Sequence, residues 1–213
     1  MKTDDLIERL AARLTPVRPL APPGKRAALW LMGSALYLGA MILGVSGFDT
    51  TTGGMAPGLL LSQSIGVLAG ALAVFAAFSS VVPGDSRRAL IVTALATLAW
   101  LAWFAVVVVS ADDAQAIAAS RHEWVCVAMI LAGGAPLAAT LAIMLRKGAP
   151  LHPMLTGVLV AIAVGLLANF SACISLPHGN AEATFAWHGA ALAILVLCCA
   201  VGARFVFTWR GAG

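Results

Sequence analysis

GLLLSQSIGVLAGALAVFAAFSSVV, residues 58–82, runs 25 positions without an Asp, Glu, Lys or Arg. Wound as an α-helix at about 1.5 Å per residue, it reaches about 37 Å, enough to cross a hydrocarbon core of about 30 Å. Five further stretches read the same way: 27–46, 89–110, 124–145, 154–172 and 185–205. Only the last of them meets a charge, Arg204 at its edge. One charge at a helix centre costs about 2.5–3.5 kcal/mol on insertion scales, so six clean segments form a coherent signal. They predict an all-α polytopic membrane protein of six transmembrane helices.

Composition agrees. Of 213 residues, 61% are hydrophobic and 10% are charged, against about 45–50% and about 25% in an ordinary soluble domain. Too few charges remain to cover a water-facing surface, so lipid must face much of it. The net charge of +4 does not point to nucleic acid, because the basic residues fall in short clusters between apolar runs, without a basic stripe or interleaved aromatics.

The clusters set an orientation instead. One side of the six spans carries Lys2, Arg9, Arg13, Arg18, Lys25, Arg26, Arg87, Arg88, Arg146, Lys147, Arg204 and Arg210, and the other carries Arg121 alone. Under the positive-inside rule this places both termini in the cytoplasm. A retained first helix is expected, since no convincing small-residue cleavage site follows it. The chain then divides into a cytoplasmic arm and tether (1–26), a membrane domain (27–207) and a short cytoplasmic tail (208–213).

Small residues foreshadow how the helices meet. Gly66 and Gly70 form a GxxxG, and Gly157, Ala161 and Gly165 repeat a small residue every fourth position; such faces let helix backbones approach closely. Pro136, after Gly133-Gly134-Ala135, is expected to kink its helix. Gln63, Asn169 and scattered Ser and Thr are the polar residues of the interior. An intramembrane carboxylate or basic residue, usual in ion-coupled transporters, is absent from the spans, which counts against transport.

Two polar features remain. In the arm, Thr3-Asp4-Asp5 starts a helix on which Leu6, Ile7, Leu10 and Leu14 share one apolar stripe, up to Pro16 and a Pro-rich tether. A helix of about 12 residues is marginal alone in water, so the stripe needs a surface: the inner leaflet, the bundle's own loops, or the groove of a soluble partner. Lys25-Arg26 reads as an inner-leaflet stop. Toward the outer boundary, His122 and Cys126 lie one helical turn apart, Cys173 closes the fifth span, and His178 and His188 follow. Packing and helix anchoring, a disulfide or redox pair, and a metal site for a thiophilic ion are all open to these five residues. Cys198 and Cys199, deeper in the sixth span, read as packing residues, and His152 as a solvated loop residue.

The opening Met-Lys-Thr-Asp-Asp-Leu-Ile, the string Thr15-Pro16-Val17-Arg18-Pro19-Leu20, the Arg146-Lys147-Gly148-Ala149-Pro150 loop, the paired Cys126 and Cys173, and Trp187-His188 resemble the NrsF family of bacterial membrane anti-sigma factors. The resemblance implies a non-enzymatic regulator in the inner membrane. Its arm, through Leu6, Ile7, Leu10 and Leu14, would hold an extracytoplasmic-function sigma factor away from RNA polymerase, without touching nucleic acid itself. It also implies that Cys126 and Cys173 sense a periplasmic oxidant or thiophilic metal ion, with no cofactor required. A membrane thiol oxidoreductase and a small-solute transporter are the competing functions; the first lacks a CxxC shuttle pair and the second lacks intramembrane charge.

Overall fold

A computed structural model of the chain describes residues 3–12, 20–46, 57–82, 86–109, 123–148, 150, 152–175 and 181–207. Seven helices occupy them: α1 (Thr3–Ala11), α2 (Pro23–Ser46), α3 (Pro57–Ser79), α4 (Ser86–Val109), α5 (Glu123–Arg146), α6 (Pro153–Ser175) and α7 (Ala181–Val206). The last six are long and apolar enough to cross a membrane, as the hydropathy pattern predicts. Three of these six open on proline (Pro23, Pro57 and Pro153). In a first turn, proline's missing N–H removes a donor that would have had no partner. Arg146 and Arg204 stand in the last turns of α5 and α7, where a cation meets the negative end of the helix dipole.

The helices are not equivalent. In α6, 78% of the span is buried, against 17% in α2 and in α4. α6 packs on α2, α3, α5 and α7, and α4 completes the bundle against α3. Lipid is as apolar as leucine, so close backbone approach, not hydrophobicity, must hold such a bundle together. The glycines show it. A Cβ on Gly157 would collide with the Cys199 carbonyl oxygen and stand 2.7 Å from the Ala203 Cβ, while one on Gly165 would stand 2.6 Å from a methyl of Leu192. The α6–α7 seam therefore needs Gly157, where the obstacle is backbone, while Gly165 leaves room for the Leu192 side chain. The GxxxG of α3 serves two neighbours: Gly66 accommodates the Trp100 indole of α4, and Gly70 lies against Ala163 and Leu167 of α6.

Two expectations change at the basic end. α2 begins at Pro23, so the expected tether is already helical there. Arg26 is not a headgroup anchor: it is buried, donates to the Met144 carbonyl of α5, and lies 4.5 Å over the Phe78 ring. Its neighbour Lys25 is exposed, as an interfacial lysine should be. α1 is absent from the principal helix pairings. It ends at Ala11, before Leu14; Ile7 is exposed on it, and the side chains of Leu6 and Leu10, with all of Leu14, lie outside the described residues.

Candidate functional site

Consecutive membrane helices alternate in direction, so the start of α5, the end of α6 and the start of α7 share one end of the bundle. Cys126, Cys173 and His188 stand on those segments, all buried. His188 lies two turns inside α7, because that helix begins at Ala181 rather than near residue 185. It is fully buried, so its ring faces neighbouring helices.

Its surroundings explain how an imidazole is tolerated there. Asn169 Nδ2 donates to Gln63 Oε1 at 3.0 Å, which turns Asn169 Oδ1 toward His188 Nδ1, 2.6 Å away. Two acceptors cannot approach so closely without a proton between them, so Nδ1 carries the hydrogen and donates. Cys173 Sγ lies 3.8 Å from the same nitrogen. One hydrogen-bonded chain thus joins Gln63 of α3, Asn169 and Cys173 of α6, and His188 of α7. Inside a bilayer such a chain carries weight, since the alternative for each group is a dry, apolar surrounding. Asn169 and Cys173 are one helical turn apart, which places both on the face of α6 that meets His188.

Cys126 stands in the first turn of α5, and α5 packs directly on α6, which carries Cys173. None of the four cysteines is in a disulfide. Among the described residues no group of three or more His, Cys, Asp and Glu is placed to hold a metal ion; His122 and His178 lie outside them. Within the described residues, His188 lies in hydrogen-bonding range of Cys173 and Asn169. The arrangement also differs from that of an activated cysteine nucleophile. There the base uses one ring nitrogen for the thiol and the other for an orienting group, whereas here thiol and amide address the same nitrogen.

Cys198 and Cys199 stay apart from this chain. Cys198 is exposed on α7 and Cys199 half-buried; both line an apolar groove of about 190 Å³ between α5, α6 and α7, with Gly157 and Val160 also lining it. The sequence did signal Gln63 and Asn169, as amides in otherwise apolar spans. Their connection to His188 required the fold, since Gln63 and Asn169 stand 106 residues apart.

The fold and site together define a multi-pass helical membrane protein whose buried thiol–imidazole chain lies at the end opposite its basic loops. Residues 10–209 match the family model of NrsF, negative regulator of sigma F, and the chain belongs to that family. The match includes the Thr15–Leu20 string, the Arg146–Pro150 loop and both buried cysteines, and begins after the opening heptapeptide. Comparison with curated proteins and with solved structures returned no match.

Proposed function

We propose that this negative regulator of a sigma factor acts as an inner-membrane anti-sigma factor for the extracytoplasmic-function class, with both termini in the cytoplasm. The arm captures the sigma factor through the Leu6, Ile7, Leu10 and Leu14 stripe. A periplasmic oxidant or thiophilic metal ion, met by Cys126 and Cys173, relieves the capture. The observation that carries this reading is the separation of two unlike ends: an α1 that makes no principal helix pairing among the described residues, and two buried thiols where α5 begins and α6 ends. Short amphipathic helices acquire their order by docking an apolar face, and Ile7 is exposed on α1. The twelve-to-one division of basic residues supports the orientation.

The test is co-purification of the sigma factor encoded beside it with the full-length protein and with a form lacking residues 1–26. Capture by the full chain alone is expected. Equal capture by both forms would remove the arm from the account.

A further inference from the structure

α5 has the cysteine end of the bundle at its start and the arm's root at its finish, and α2 runs beside it. Three side chains of α2 reach α5. Arg26 donates to the Met144 carbonyl, Trp30 Nε1 donates to Thr140 Oγ1 at 3.1 Å, and Tyr37 Oη donates to the Ala132 carbonyl at 3.4 Å. The register is antiparallel: four residues from Arg26 to Trp30 match four back from Met144 to Thr140, and the two turns on to Tyr37 match two turns back to Ala132. A Cβ on Gly133, the next residue of α5, would touch the Met41 sulfur at 3.3 Å, so α2 stays against α5 for one turn beyond Tyr37.

Each acceptor on α5 is a group that the helix itself leaves open. Pro136 has no N–H, so the Ala132 carbonyl four residues earlier lacks its helical donor, and Tyr37 supplies one. At the other end, Gly148 N turns back to Leu145 O at 2.9 Å, which leaves the Met144 carbonyl to Arg26. Thr140 spends its own proton on Leu137 O and accepts from Trp30. The arm's root is held at a second point too: a Cβ on Gly148, in the loop after α5, would stand 3.6 Å from Leu20 and collide with Val81.

We propose that this α2–α5 seam is the link through which the state of Cys126 governs the arm. The seam holds the start of α2, and the chain leading into it, in the sigma-capturing position while the thiols are reduced. Chemistry at Cys126 shifts α5, whose helical hydrogen-bond ladder is interrupted at Pro136, and the seam opens. The inference rests on the proposed reading of the arm and of Cys126, and supplies the two-state element with differential contacts that coupling requires.

Tyr37 is the only tyrosine in the chain, so 3-fluorotyrosine puts a single fluorine resonance on the seam. The experiment uses the full-length protein in lipid nanodiscs, with Cys198→Ser and Cys199→Ser, treated with methyl methanethiosulfonate and checked by peptide mass mapping for modification of Cys126. The Tyr37 resonance should move, and should stay in place when Cys126→Ser is added. In parallel, Trp30→Phe and Thr140→Val should each weaken sigma capture at rest by roughly threefold to tenfold. The double variant should do no more than either single one, because all three remove the same bond. A resonance that stays fixed on the modified protein, or a Thr140→Val protein that holds and releases sigma as its parent does, overturns the seam. If the resonance moves while arm-deleted protein still captures sigma, the reading of the arm fails and with it the seam's hold on capture, while the coupling of Cys126 to the seam stands.

Discussion

At the scale of single residues, Asn169 decides more than its place in an apolar span indicates. It is the middle of the buried chain, bonded on one side to Gln63 and on the other to His188. Hydrogen bonds between membrane helices contribute about 0.6 kcal/mol on average and up to about 1.7. Asn169→Ala removes two of them, so a loss of roughly 1–3 kcal/mol is expected, read as a lower midpoint in thermal unfolding of the detergent-solubilised protein. Gln63→Leu should cost less, because the Gln63 Nε2 is buried without a partner and its removal relieves that burden. An equal or larger effect from Gln63→Leu would mean that the amide chain is oriented otherwise. For the thiols, Cys126→Ser and Cys173→Ser should blunt sigma release in response to a thiol reagent, whereas Cys198→Ser, at an exposed position of α7, should leave it intact. Equal effects at all three would reduce the cysteines to packing.

At the scale of elements, α6 organises the bundle through what its side chains lack. Gly157→Leu would drive side-chain atoms into the Cys199 carbonyl and Ala203 of α7. A backbone carbonyl in a packed helix cannot swing aside, so the cost should lie at or above the upper end of the usual 1–3 kcal/mol for overpacking. Gly202→Ala, where an added Cβ meets nothing within 4 Å, should change stability by no more than about 0.5 kcal/mol. Comparing how much of each variant stays monodisperse on heating in detergent separates the two; similar behaviour would deny the α6–α7 seam its close approach. The small-residue repeat at 157, 161 and 165 made this seam legible in the sequence. The α2–α5 seam was not legible. Arg26 reads as an ordinary membrane stop, and only the fold shows that its acceptor is 118 residues away. A long-range side-chain bond leaves no periodicity in the chain that makes it.

At the scale of the whole molecule, the basic loops at one end and the buried thiols at the other give the bundle two distinguishable poles. A green fluorescent protein fused after Gly213 should fluoresce, and alkaline phosphatase fused between residues 111 and 122 should be active; the reverse pattern would invert the protein in the membrane. The two unlike poles and the number of spans were already legible in the sequence. Each membrane helix satisfies its own backbone hydrogen bonds, so a local stretch of apolar residues is enough to specify it. The order of the helices in space is a different matter. Mean hydropathy is 2.2 for the central α6, 2.2 for α7 and 2.3 for the peripheral α4. In water, apolarity marks the core; in lipid, core-facing and lipid-facing residues are equally apolar, so the same pattern cannot say which helix lies inside. Only the tertiary structure put α6 at the centre, closed the chain from Gln63 through Asn169 to His188 and Cys173, and laid α2 along α5. Those arrangements depend on shape and on directed hydrogen bonds between distant residues, which composition and spacing do not encode.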